Sequence, residues 1–163
     1  MSRSSWNGEE VVNVLNIYPR SKSKDYLKNW MNTIVDSETN ETVGMGLFNI
    51  DTVYIDDYNS NPDIYLRDDS GNYKYDVLFF GSSDSNGFKD LSEISMESTR
   101  EYIESERGVL FGHDTVCLVG TEYHPNFASF ADDLGIIVNK NGIYSLSRTV
   151  TVVNKGFLTK AVR

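Results

Sequence analysis

The sequence predicts an α/β fold, a three-layer sandwich on a mainly parallel central sheet. Three observations carry this. The run Val77–Phe80 (VLFF) has almost no polar alternation, as expected of a strand covered on both faces. A polar loop (GSSDSNG) and a helical stretch connect it to a second apolar run, Val109-Leu110-Phe111, which is the order of a βαβ unit. An earlier β-rich run at 11–17 (VVNVLNI) is followed by apolar residues at helical spacing, so strand and helix alternate along the chain.

The elements follow in order. Residues 1–10 are polar and read as a flexible arm. The first strand, 11–17, ends at Tyr18-Pro19. Ser23 is placed to cap a helix over 24–35, whose Tyr26, Leu27, Trp30, Met31 and Ile34 form one apolar face, read as core rather than as a cofactor box. Residues 36–46 are turn-like, and 47–55 carries a strand best seen in Val53-Tyr54-Ile55. The stretch 56–72 reads as an acidic polar loop broken by Asn61-Pro62 and Ser70-Gly71. After Val77–Phe80, Asp90-Leu91-Ser92-Glu93 gives a capping-box start to a helix over 91–105, with Asp90 as acceptor. Ile94, Thr99, Tyr102 and Ile103 are expected to face the sheet, Arg100 to offset Glu104, and Gly108 to stop the helix. Further on, 126–134 reads as a short helix with Phe127, Phe130 and Leu134 on one face. Residues 136–138 read as a strand, Asn141-Gly142 as a turn, and 147–153 as a β-rich segment. A single domain over 11–155, with a tail at 156–163 that reads as a truncated domain end, accounts for the chain. The expected core is Leu15, Leu27, Trp30, Val77, Leu78, Phe79, Ile103, Val109 and Leu110.

Composition bounds the function. The chain has 163 residues, 39% of them hydrophobic and 12% aromatic, enough to build a core. A net charge of −9 disfavours nucleic acid and anionic membranes as partners, since both are polyanions. The lone cysteine, Cys117, lies between Val116 and Leu118 and reads as a small buried hydrophobe. It can form no intrachain disulfide, and no cysteine cluster suggests zinc or iron–sulfur. No run approaches the ~20 apolar residues of a membrane span, and the first ten residues lack a signal-peptide core. The expected location is the cytoplasm, or the cell surface or exterior if the chain is a piece of a longer protein. Asn40-Glu41-Thr42 matches a glycosylation acceptor, which has meaning only in a eukaryotic secretory protein.

In parallel sheets, ligands bind outside the carboxyl ends of the strands. Two segments are expected there. One is Ser82, Ser83 and Asp84, whose hydroxyls and neighbouring amides suit a phosphate or a sugar; the plainer reading is a polar loop over a sheet edge. The other is His113-Asp114, a histidine at a sharp turn with a carboxylate to orient it; the alternative is that Asp114 caps the next helix and His113 fixes the turn. Glu122 and His124 could join His113 and Asp84 in a mixed metal site, but they read better as solvated loop residues. The acidic residues of 56–69 lack the order of a calcium loop. No nucleotide fingerprint is present, and no cofactor is expected.

Three segments, 75–81 (YDVLFFG), 102–105 (YIES) and 107–114 (RGVLFGHD), together with the order of elements over roughly 11–155, resemble the class I glutamine amidotransferase-like superfamily. Within it the chain is similar to trehalose-utilisation-type domains and to uncharacterised domains of large bacterial surface proteins. The resemblance implies a flavodoxin-like fold. Enzymes of that superfamily place a cysteine nucleophile in the turn where this chain has His113 and Asp114, and Cys117 lies later, outside a G-x-C-x-G context. Those enzymes also take a His and a Glu from a later strand and loop, and this chain is expected either to end before that region or to lack it. Thiol chemistry is therefore not expected. The resulting expectation is a non-catalytic α/β binding module of a bacterial surface or secreted protein, taking a small polar or carbohydrate ligand or a protein partner at Ser82, Ser83, Asp84, His113 and Asp114. The alternative is a hydrolase-like enzyme using His113 with a carboxylate.

Overall fold

The computed structural model describes residues 11–35, 39–42, 46–82, 86, 88–112, 115–116 and 124–134. Four parallel strands form its sheet: β1 (Val12–Tyr18), β2 (Phe48–Tyr54), β3 (Val77–Phe80) and β4 (Gly108–Phe111). Their order is β2-β1-β3-β4. The architecture is thus α/β with an all-parallel sheet. Among the described residues no helix is long and apolar enough to cross a membrane.

The register sorts side chains onto two faces, because partners in parallel strands point the same way and neighbours along a strand alternate. Leu15 lies opposite Leu78, and Ile17 opposite both Phe80 and Val53. These five residues build one face, which is the core. Five helices cover it: α2 (Ile55–Ser60), α3 (Pro62–Leu66), α4 (Glu93–Glu104), α5 (Pro125–Ala128) and α6 (Phe130–Asp133). They contribute Ile55, Tyr58, Leu66, Tyr102, Phe127 and Phe130, all without exposed surface. On the other face lie Val14, Asn16, Val77, Phe79 and Leu110. A 3-10 turn (Ser21–Ser23) and α1 (Tyr26–Asn32) lie against this face. Leu27 is buried there, and the Asn16 side-chain amide donates to the Lys24 carbonyl at 3.2 Å.

Several expectations need correction. Residues 55–66 form two short helices rather than a polar loop. Pro62, read as a breaker, opens α3 at a first-turn position where its missing N–H has no partner to lose. Ile55, Tyr58 and Leu66 supply the buried side of this pair, while Asp56, Asp57 and Asp63 stay at the surface. Ser23 does not cap α1; its hydroxyl donates to the Arg20 carbonyl within the 3-10 turn. Ser92, not Asp90, caps α4, accepting from the Ser95 amide. The face that α4 buries is Ser95, Thr99 and Tyr102, leaving Ile94 exposed. Arg100 pairs with Glu97 and Asp133 rather than Glu104. Glu106, at φ 66°, makes the turn out of α4 in the left-handed region, and Gly108 already belongs to β4. The 126–134 helix divides at Ser129, and Leu134 is exposed. Trp30 and Leu110 are exposed at 66% and 53%, so neither belongs to the core, and Val77, Phe79, Ile103 and Val109 are only partly buried. Among the described residues the second face carries only the 3-10 turn and α1, which leaves Val77, Phe79 and Leu110 short of full burial. The arm 1–10, Cys117, the 136–138 strand, the 147–153 segment and the tail lie outside the described residues.

Leu78 has no exposed surface and sits in the middle of the core face. Replacing it with Ala is expected to cost about 2–5 kcal/mol in chemical denaturation, from lost transfer energy and the cavity left behind; a loss below ~1 kcal/mol would place β3 at the periphery. A second expectation concerns pH. Burial raises the phenols of Tyr58, Tyr75 and Tyr102 above their ordinary value of 10.0. For Tyr75, the hydrogen bond to Asp51 at 2.9 Å adds to the rise. A group whose pKa rises on folding contributes stability that is intact below its unfolded pKa and lost above it. Stability should therefore hold from neutral pH to about pH 10 and fall beyond it. A flat denaturation midpoint up to pH ~11.5 would contradict this.

Candidate functional site

The site begins where two adjacent strands send the chain to opposite faces. After Tyr18 at the end of β1, the chain crosses to the second face and forms α1. After Phe80 at the end of β3, it continues through residues 88–92 to α4 on the core face. A crevice opens where such connections diverge, at the topological switch point of the sheet.

The groove at this point has a volume of about 280 Å³ and is lined by Tyr26, Leu27, Trp30, Phe79, Gly81 and Ser82. Tyr26 and Trp30 are four residues apart on α1, so they share one side of the helix. Both are exposed, at 54% and 66%. Leu27 and Phe79 supply its apolar floor. Ser82 supplies a polar group: its Oγ is buried and has no hydrogen-bond partner among the described residues. A buried hydroxyl without a partner forfeits about 1–3 kcal/mol relative to a satisfied one.

Backbone packing sets the position of Ser82. Gly81 has φ 80°, and a Cβ built on it would lie 2.9 Å from the Gly112 backbone. The Gly112 amide donates to the Phe80 carbonyl at 2.8 Å, and the Thr115 hydroxyl donates to the Gly112 carbonyl at 2.8 Å. The carboxyl ends of β3 and β4 therefore touch backbone to backbone, side by side as the βαβ reading expects.

Of the expected site residues, Ser82 lies in the groove. Ser83, Asp84, His113 and Asp114 lie outside the described residues, as does Glu122. His124 is not a solvated loop residue: it is 3% exposed, and neither ring nitrogen has a partner among the described residues. Its ring meets Phe127 edge-on at 6.4 Å. The cause is α5, which docks Phe127 into the aromatic core and draws the preceding residue in with it. Asp90 holds that docking, its carboxylate accepting from the amides of Asn126 and Phe127 at 2.9 and 3.0 Å. Among the described residues no three His, Cys, Asp or Glu side chains gather as a metal site.

Sequence reasoning missed Tyr26 and Trp30, because helical spacing marks an apolar stripe without showing how much of it a partner covers. A usable signal was present. The sequence offers one helix before β2 for the second face, with Lys24 just before it and Lys28 within it. Compared with known proteins, the chain matches no family model, no curated protein and no solved structure.

Gly81 and Gly71 separate two costs. Both have positive φ, but a Cβ on Gly71 would meet nothing within 4 Å. Gly71→Ala should cost about 1 kcal/mol for the left-handed backbone alone. Gly81→Ala should cost about 2–4 kcal/mol, because overpacking against Gly112 adds to it. Equal losses in denaturant melts would show that the β3–β4 contact is not tight.

Proposed function

We propose that this chain is a non-catalytic α/β binding module that takes a small polar or carbohydrate ligand at the carboxyl ends of β1 and β3. The observation that carries the reading is the pairing, in one groove, of an open Trp30 with Ser82, whose hydroxyl has no partner among the described residues. An indole face has a negative quadrupole, and the C–H face of a sugar ring packs on such a plate. A hydroxyl beside it selects polar groups on the ring edge. The volume, about 280 Å³, is at the small end for ligand pockets and suits a single ring rather than a chain.

The strand order supports the family resemblance. The order β2-β1-β3-β4 is the beginning of the flavodoxin-like order, whose ligands sit at the β1/β3 switch point. On this reading the chain is an amidotransferase-like domain without thiol chemistry, belonging to a bacterial surface or secreted protein, with Ser82, Ser83, Asp84, His113 and Asp114 as its proposed ligand-binding residues.

A nuclear magnetic resonance titration of the ¹⁵N-labelled chain with a panel of neutral monosaccharides tests this. The Trp30 indole and the Gly81 and Ser82 amides should shift together. Trp30→Ala should weaken the strongest interaction roughly tenfold, the loss of an aromatic contact of about 1.5 kcal/mol. Its melt should stay unchanged, since the side chain is exposed. Shifts elsewhere, or unchanged affinity in the variant, would reject the groove. Release of product from a bound glycoside or ester, abolished by His113→Ala, would replace the binding reading with the hydrolase-like one.

A further inference from the structure

The carboxyl ends of β1 and β2 carry a tyrosine pair that the groove does not use. Tyr18 and Tyr54 are the last residues of their strands and register partners across them. Their rings lie 5.6 Å apart at 40°, and both side chains are half-buried. Neither lines the groove of Trp30 and Ser82. The chain itself shows what such a ring can hold. The Lys89 ammonium lies 5.5 Å from the centre of the Tyr54 ring and 2.7 Å from the Asp56 carboxylate. An aromatic face on one side and a carboxylate on the other satisfy that charge together.

Tyr18 has carboxylates of its own. Burial does most to hold its phenol above the ordinary value of 10.0, and Asp57, Tyr54 and Asp25 add to the rise. No cation opposes them, although Arg20, Lys22 and Lys24 follow closely in the chain. Where a cation does act on a tyrosine, as Arg107 does on Tyr102, it lowers the phenol. Of the neighbouring cations, Lys89 is balanced by Asp56, and Arg20 lies over the Phe88 ring at 5.9 Å. The potential at Tyr18 is therefore negative. Asp25 and Asp57 are both exposed. Among the described residues neither has an ion pair or a side-chain hydrogen bond, whereas Asp56, Asp63 and Asp133 each pair with a cation.

We infer that Tyr18 and Tyr54, with Asp25 and Asp57, form a second site, which binds the alkylated ammonium group of a small ligand. The site is separate from the groove and does not rest on the binding-module reading above. Two tilted rings favour an alkylated ammonium over a bare one. Its methyl groups pack on the ring faces while its charge meets their negative quadrupole, the way aromatic residues recognise quaternary ammonium ligands. The two carboxylates, reaching Tyr18 from the start of α1 and from α2, add attraction without closing the site.

The test is a nuclear magnetic resonance titration of the full chain with choline and with its uncharged tert-butyl isostere, followed at the Tyr18 ring. Choline should bind roughly two- to fivefold tighter, the cation–π gain of an exposed site, about 0.5–1 kcal/mol. Amide-capped trimethyl-lysine, tested beside it, separates a free ligand from a side chain carried on a peptide, and a preference with either supports the inference. Tyr18→Leu should remove the preference, and Tyr18→Phe, which keeps the ring, should retain it. The double variant D25N/D57N changes only exposed side chains. It should weaken choline at low salt and leave the isostere unchanged, which keeps the test decisive if Tyr18→Leu does not fold. Trp30→Ala should change nothing. An isostere that binds as tightly as choline, or a preference untouched by both Tyr18→Leu and D25N/D57N, overturns the inference. So does a preference lost in Trp30→Ala, which would move the ammonium to the groove, and so does the lack of any choline-dependent shift at Tyr18.

Discussion

Phe80 has no exposed surface, and its ring meets three others: Tyr58 from α2 at 6.0 Å, Phe111 from β4 at 5.7 Å and Phe127 from α5 at 5.3 Å. Such pairs add about 0.5–1.5 kcal/mol each beyond the area they bury. Phe111 extends the cluster to Phe130 of α6, 5.0 Å away. One side chain thus joins the sheet to α2 and α5, elements distant in sequence. Phe80 is also the last residue of β3, so the contact that closes the core determines where Gly81 and Ser82 emerge. The Gly112 amide bonded to the Phe80 carbonyl extends the same constraint to the end of β4.

Rings cannot hold the polar connection that follows, and side-chain amides and carboxylates do so instead. The Asn59 amide donates to the Asp90 carbonyl at 2.9 Å, and its oxygen accepts from the Ser92 amide at 2.9 Å. Asp90 in turn satisfies two amides at the start of α5. Lys89 pairs with Asp56 at 2.7 Å. Elements distant in sequence are joined within four residues, 89–92: the Asn59 and Asp90 bonds satisfy backbone groups that would otherwise lack a partner, and Lys89 adds an ion pair.

What the sequence revealed follows from how local each signal is. VLFF, VLF and VVNVLNI are strands because β-branched and aromatic runs of that length leave little choice, and their parallel pairing follows from the intervening helix. The switch point could be read for the same reason. Coverage was less legible. Spacing showed a stripe on α1 but not that Trp30 is exposed, since that depends on what else reaches the second face. Asp90 matched a capping box for α4, yet caps α5, a pairing across 36 residues that no local pattern contains. Pro62 read as a breaker because a proline marks a boundary without showing on which side the helix lies.

The account depends on a rigid β3–β4 edge that presents Ser82 beside α1. Amide hydrogen exchange at Gly112 tests this directly, because that amide donates across the edge to Phe80. If the Phe80 cluster holds the edge, the Gly112 amide should exchange only through global unfolding, with a protection free energy equal to that of the Leu78 amide in the strand interior. Exchange at Gly112 at the rate of a free loop while Leu78 stays protected would contradict the account, since the edge would then open without the core and no fixed site could stand on it.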